Sequence, residues 1–535
     1  MKNVLQVLIY LILFNQPIFA QQKTEQWDRF ELQLTHTSPK NSFLETNLTA
    51  TFSHKDTTIT VKGFYDGNNK YIVRFMPEKI GKWSYKTQSS VADLNNKTGE
   101  LECVKATKNN HGIVRVANTF HFKYGDGKDY FPFGTTAYAW THMTNDLQEE
   151  TLLALKKTGF NKVRMCIFPK NYELVKEEPE IFPYPIKSVS TNDKGEKVYA
   201  WDFTQFNPVF FQHLEKRIDN LRDMGIEADL ILFHPYDKGR WGFDEMPMEA
   251  NLSYIKYVVA RLASFKNVWW SLANEYDYVK SKTEADWLQL IKEVVKQDPF
   301  KHLCSIHGST AKYYNYWIPE LTHASIQDES PVINWGAAAT IRNIYNKPIV
   351  FDEVGYEGNL KLRWGWYSGE EMNHLIWMGL IGGTYVTHGE AFMVGDGKNY
   401  PIFWAKGGEL RGTSWKRAAF NRQIIEETGA LEMADVSRDF KTATNGKGTY
   451  LIYFGKEMNE TWRFNLPNKN ANYDKPKKGN KYKVEIIDTW DMSVQKVEAV
   501  FELSDLNNYR FYDKNLGIVR LPLKPYLALR VTEIK

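Results

Sequence analysis

Two glutamates stand where this chain could do acid–base chemistry. Residues 267–278, Asn-Val-Trp-Trp-Ser-Leu-Ala-Asn-Glu-Tyr-Asp-Tyr, begin as an apolar run over 268–272 and end in the polar pair Asn274-Glu275 plus a short tail. Further on, the apolar run 348–351 ends in Asp352-Glu353. Continuous apolar runs of this length suit strands buried on both faces. Each glutamate would then sit at a strand's C-terminal edge. Carboxyl groups paired across the mouth of an α/β barrel supply what cleavage of a glycosidic bond needs. One protonates the leaving oxygen, and the other attacks or stabilises the anomeric carbon. Either glutamate alone reads equally well as a cap or a salt-bridge partner; the pair, at the ends of two strands, points to chemistry. Glu275 is the expected acid/base, since burial raises a carboxyl pKa and keeps it protonated near neutrality. Asn274 beside it is placed to bind a sugar hydroxyl. Glu353 is the expected nucleophile and needs to stay ionised, with Arg164 as its cationic neighbour. Asp277 and Asp352 are the nearest competitors. Strand alternation predicts that Asp352 turns away from the barrel axis if Glu353 points in.

The elements that must position these groups alternate strand and helix, the signature of a parallel sheet. Eight strands are predicted, at 130–138, 162–168, 227–234, 267–278, 302–307, 324–327, 348–353 and 383–388. Helices are predicted at about 147–158, 208–224, 249–264, 284–297, 332–345, 369–380 and 415–428. Helix 284–297 carries Trp287, Leu288, Ile291, Val294 and Val295 as an apolar stripe of helical period. Before the barrel, residues 24–108 alternate apolar and polar with turn signals between, as an Ig-like β-sandwich does. After about 437 the pattern returns to β. The expected fold is therefore multidomain: a (β/α)8 TIM barrel over 109–436, an N-terminal Ig-like β-sandwich over 21–108 and a small C-terminal β-sandwich over 437–535. Residues 1–20, with Lys2, an apolar stretch over 4–14 and Ala20 before Gln21, read as a signal peptide of a secreted or periplasmic protein. No transmembrane segment is expected in the mature chain.

Other polar and aromatic groups fall on the same predicted face. His234, His307 and His388 end three strands; they read as structural histidines or, as the family resemblance given below implies, as groups that bind sugar hydroxyls. Trp140, Trp241 and Trp404 are candidate stacking platforms, with core packing the alternative. Lys238, Arg240, Arg363 and Arg411 follow strands and would suit an acidic glycan, or simply lie solvated. His234, Asp237, His307, Asp328 and His388 could converge on a metal, but no close-spaced pair such as His-x-x-x-His is present, so no metal site is assigned. No cofactor is expected.

Composition narrows the partners. Lysine and arginine total 68 against 64 acidic residues, so no basic face for nucleic acid is indicated. Aromatics make up 15% of the chain, which suits both sugar stacking and cores. Cys103, Cys166 and Cys304 form no disulfide framework.

Asn274-Glu275 after the fourth strand and Glu353 after the seventh resemble clan A glycoside hydrolases. The segments Phe64-Tyr-Asp-Gly, Tyr71-Ile-Val-Arg-Phe-Met-Pro and Gly81-Lys-Trp-Ser-Tyr resemble the N-terminal β-domain of bacterial polysaccharide-degrading proteins with an apiosidase-like or cellulase-like barrel. The resemblance implies a retaining, double-displacement enzyme acting on a plant or algal poly- or oligosaccharide. It implies Glu275 as acid/base, Glu353 as nucleophile, and sugar-binding roles for residues at the other strand ends. One departure is Gln327-Asp328 on the sixth strand, where many clan members carry a tyrosine; Gln327 is taken as a substrate-binding candidate. Two alternatives stand beside this reading: a glycan-binding protein without turnover, and a metal-dependent hydrolase.

Overall fold

The computed structural model describes residues 22–535 apart from 38–40, 194, 196, 238, 395–401, 436–438 and 469–475. The expected signal peptide, Lys238 and the expected start of the C-terminal domain at 437 lie outside the described residues. Among those described, no helix is long and apolar enough to cross a membrane.

The centre of the chain holds eight parallel strands: β1 (Gly134–Thr136), β2 (Lys162–Cys166), β3 (Glu227–Phe233), β4 (Val268–Ala273), β5 (Cys304–Ser305), β6 (Ala324–Gln327), β7 (Ile349–Glu353) and β8 (Tyr385–Val386). β1 to β5 pair in sequence order, and β6, β7 and β8 form a second run. Bonds at both seams join the two runs. Thr322 N donates to Cys304 O at 2.9 Å, and Ser305 Oγ donates to His323 O at 2.7 Å. On the other side Thr135 bridges His388 in parallel, and His388 N donates to Gly134 O at 2.8 Å. Every residue of β2, β3, β4 and β7 is buried; the apolar run of β4 suits this, and β2, β3 and β7 carry charged residues that meet one another inside.

Helices connect the strands where the patterns place them. Pro208–Asp223 starts on Asn207, whose side chain accepts from Val209 N. Glu284–Gln297 starts on a reciprocal capping box between Thr283 and Asp286 and buries Trp287, Leu290, Ile291 and Val294. Two expectations need correction. The helix expected over 332–345 is broken into Ser330–Ile333 and Ala337–Tyr345, because Gly336 takes φ +83°. The long connection after β2 carries a hairpin, Ile186–Thr191 with Lys197–Trp201, that the polar sequence there did not signal.

The N-terminal domain is a β-domain of seven strands in one continuous hydrogen-bonding order. Its strand Thr57–Tyr65 pairs with Leu48–His54 along one part and with Lys70–Phe75 along the other, so the sheet folds around Phe52, Phe75 and Trp83. It docks on the central domain through buried charges. Arg74 grips Glu215 through two N–H bonds of 2.7 and 3.0 Å, and Arg261 reaches both Glu215 (2.6 Å) and Asp66 (2.7 Å). The C-terminal β-domain has an eight-stranded order packed on its own core of Phe464, Tyr482, Phe501 and Leu529. Asn373 ties it to the centre by donating to Thr489 O at 3.0 Å. The three cysteines are free and buried.

Candidate active site

At the C-terminal ends of the strands lies a cavity of about 410 Å³, with Glu275, Gln327, Glu353, Tyr356 and Trp404 among the residues lining it. Glu275 is held in the left-handed region, φ +47° and ψ +55°. For a residue with a side chain this conformation costs on the order of 1–3 kcal/mol, and it persists only where neighbours over-determine it. Here Tyr276 N donates to His307 O and Tyr278 N to Glu275 O, both at 3.0 Å, pinning the backbone on each side. The turn leaves the Glu275 carboxyl buried with Oε2 lacking any partner. Burial first, then the charge of Glu353, pushes its pKa up to about 8; Lys170 and Gln327 pull the other way. At neutral pH this group keeps its proton.

Glu353 closes β7. Its Oε1 accepts a short hydrogen bond from the Tyr138 hydroxyl, which follows β1. Tyr356 brings a second buried hydroxyl against the same carboxylate, and its pKa is raised by burial and then by Glu353. The register of β7 explains how Glu353 reaches the cavity. Phe351 pairs with Ile326 and Glu353 with Gln327, so Asp352 is an extra residue in a bulge. Simple alternation therefore fails, and the expectation that Asp352 turns away from the axis is corrected. Asp352 points inward, accepting from Lys162 Nζ at 2.6 Å, from Thr387 Oγ1 at 2.9 Å and from Ser325 Oγ. Lys162 also donates to Asp229 at 2.9 Å. Burial alone would raise the pKa of Asp352, but Lys162 and Arg164 hold it far below the usual carboxylate range.

The other sequence candidates separate into two groups. Gln327 and Trp404 line the cavity with the glutamates, and so does Arg363, which pairs with Glu371 at 3.1 Å and Glu329 at 3.4 Å. Arg164 and Asn274 lie beneath it. The guanidinium donates to Asp229 (3.2 Å), Ser271 (3.1 Å) and Asn274 Oδ1 (3.3 Å), so it props the end of β4. Trp140, Trp241, His234, His307 and His388 are buried and do not line the cavity. His234 binds backbone, with Phe168 O at 3.1 Å and Tyr236 N at 3.1 Å, and burial pushes its pKa down to about 3. Trp140 donates to Met165 Sδ at 3.4 Å. Arg240 pairs with Glu178, and Arg411 with Glu409 at 3.3 Å.

Asp237 and Asp328 are bound by backbone N–H groups of their own loops. The metal-capable group found among the described residues is a different one, Glu357, His388 and Glu390, with donor atoms within 4.8 Å of one another. Glu357 already accepts from the N–H and hydroxyl of both Thr413 and Ser414, and Glu390 from Arg411 N and Gly412 N. These carboxylates clamp the 411–414 loop, and their filled oxygens leave little for a cation.

Sequence reasoning passed over Tyr138, Tyr356 and Lys170. Tyrosines and lysines are common in loops, and only the ring of strands brings these three to the two glutamates. The Tyr-rich wall (Tyr172, Tyr236, Tyr356, Trp364, Trp404) presents ring faces and hydroxyls suited to the C–H faces and hydroxyls of a sugar.

Comparison with known proteins gives the family. The family described as "Apiosidase-like, catalytic domain" matches residues 117–420. Two domains of unknown function, DUF5060 and DUF5605, match 23–90 and 439–532. No match is found among curated proteins. A solved structure of a candidate glycoside hydrolase from Bacteroides vulgatus ATCC 8482 is 55% identical with a TM-score of 0.93, covering 96% of this chain and 100% of its own. A glycoside hydrolase family 5 structure from the same organism is 14% identical with a TM-score of 0.55, covering 79% of this chain and 93% of its own, a likeness of fold alone. The central domain thus resembles glycoside hydrolase barrels, and the chain belongs to the apiosidase-like catalytic domain family, as an enzyme of the glycoside hydrolase class.

Proposed function

We propose that the protein is a secreted or periplasmic clan A enzyme that cleaves a plant or algal poly- or oligosaccharide with retention of configuration. The observation that carries this reading is one cavity lined by two buried carboxyls in different settings. Glu275 keeps one unpartnered oxygen and is raised to about 8, while Glu353 is served by a hydroxyl donor. Glu353 attacks the anomeric carbon as Glu275 gives its proton to the leaving oxygen. Once Glu353 is an ester its charge no longer raises the pKa of Glu275, which then takes a proton from the water that frees the sugar. The seam bonds support a closed (β/α)8 barrel, and the N- and C-terminal β-domains fit an Ig-like sandwich and a small sandwich.

Reducing-sugar release from a panel of plant and algal polysaccharides tests the reading. Apiose-bearing glycans belong in the panel because of the family's name. Wild type should release sugar and Glu353→Gln should not, and proton NMR of the first-formed product should show the substrate's own anomeric configuration. An inverted product, or equal release by Glu353→Gln, would overturn it.

A further inference from the structure

Lys170 lies beyond β2 and is 3% exposed. Its ammonium sits among four aromatic rings, 4.1 Å from the centroid of Tyr236, 4.4 Å from Tyr138, 5.0 Å from Trp404 and 5.3 Å from Tyr172. Among the described residues no carboxylate stands in ion-pair contact with it and no hydrogen-bond acceptor accompanies it. Ring faces recover only part of the hydration that a buried ammonium gives up. A fold tolerates such a charge where an opposite charge lies close by.

The neighbouring charges identify that counterpart. Beneath the cavity, Lys162 and Arg164 are in ion-pair contact with Asp229 and Asp352, and Arg164 feels the charge of Glu353 less than it feels those two. Across it, Arg363 is paired with Glu329 and Glu371. What remains is the Glu275–Glu353 pair, and the Tyr138 ring under the ammonium is the one whose hydroxyl donates to Glu353. Resting on the retaining reading above, we propose that Lys170 is a positioning residue, the fixed counter-charge of the two glutamates through the whole reaction. In the first step a Glu353 oxygen bonds to the anomeric carbon, the bond to the leaving oxygen breaks, and the Glu275 proton goes to that oxygen. Burial lowers the Lys170 pKa, with Glu353 and Glu275 among the groups that oppose it; as the single negative charge passes from Glu353 to Glu275, an ammonium at Lys170 keeps the buried site neutral before and after.

The other titratable groups around the trio do not substitute for it. Cys166 is a neutral thiol, its pKa pushed up to about 12 by burial. His234 is neutral, and Tyr138 and Tyr172 are held protonated by burial. Tyr236 contributes a ring face. Asp277 adds a weak push upward on Glu275, as Glu353 does more strongly, and Asp328 and Glu329 line the cavity. Lys170 is the cation acting on Glu275 in the lowering direction.

Two measurements on the full-length protein test this. The carboxylic C=O stretch of Glu275, isolated as wild type minus Glu275→Gln in infrared titrations without substrate, should titrate about one pH unit higher in Lys170→Met. Lys170→Arg should hold it at the wild-type pH. On any glycan turned over, both limbs of the kcat/KM profile should move up by a similar amount in Lys170→Met and stay put in Lys170→Arg. Lys170→Gln carries the same expectations should the methionine variant fail to fold. A Glu275 band at the wild-type pH in the neutral variants would overturn the proposal, whatever the stereochemistry of the reaction. An inverted product would overturn the retaining reading and with it the charge-transfer role, even if the band moved.

Discussion

Asp352 and Glu353 are neighbours in sequence, both buried acids, and they end in opposite environments. Asp352 belongs to a lower cluster with Lys162, Arg164 and Asp229, in which each charge meets an opposite one within 4 Å. Glu353 belongs to an upper cluster in which Glu275 keeps an unpartnered oxygen and Lys170 faces aromatic rings. A satisfied network of buried ions fixes structure, and taking away one member leaves a stranded charge. An unsatisfied cluster beside a cavity holds groups ready for a ligand and shifts their pKa values toward the pH of work. The difference between adjacent residues comes from one bulged position in β7, which directs one carboxylate down into the ring and the next toward the cavity.

Conservative amide substitutions break this comparison most sharply. Glu353→Gln is expected to lower kcat by roughly 10⁴-fold or more, as nucleophile removal does elsewhere. Its urea midpoint should stay near that of wild type, because Glu275 can ionise in its place as the counter-charge of Lys170. Glu275→Gln should lower kcat/KM by roughly 10²–10⁴-fold. Wild-type activity should fall as pH rises through about 8, where Glu275 loses its proton. That limb should be absent from the variant's residual rate. A wild-type limb well below 8 would show that Glu275 is not the acid.

Asp352→Asn should behave in the reverse way, costing about 3–5 kcal/mol of stability in urea at neutral pH. Because the folded pKa of Asp352 is depressed, its stabilisation is present above the ordinary carboxylate range and fades as the pH falls below it. The gap between wild type and variant should therefore narrow on acidification. A variant as stable as wild type would remove the distinction between the clusters. The smallest effect is expected for Tyr138→Phe, which deletes a hydrogen bond to a carboxylate worth about 1.5–3 kcal/mol. Read as kcat/KM this is a loss of roughly 10–100-fold, and stability in urea should fall by no more than the same energy.

Much of the site was legible before any coordinates. Apolar runs of strand length that end in a carboxylate identified β4 and β7 and their glutamates, because burial on both faces forces the run and the strand end is where a polar group first becomes useful. Gln327 was legible as the end of another predicted strand, whereas Trp404 was one of three candidate tryptophans and only the structure sets it apart from Trp140 and Trp241. The histidines were not: at 234, 307 and 388 the ring closes over the side chains and buries them. Arg164 was placed on the right strand and acts electrostatically with Glu353, but it lies beneath the cavity, since the sequence shows a residue's strand and not its depth.

By itself the sequence determined most of the strands and helices of the centre, that β-structure precedes and follows it, and which two acids end buried strands. These follow from hydrophobic periodicity and from local turn and cap chemistry, which act over a few residues. Only the tertiary structure decided that Asp352 is structural while Glu353 faces the cavity, that Glu275 is strained and raised in pKa, and that Tyr138, Tyr356 and Lys170 surround them. Those outcomes depend on register between strands far apart in the chain and on loss of water around charges, and both exist only once the strands have packed together.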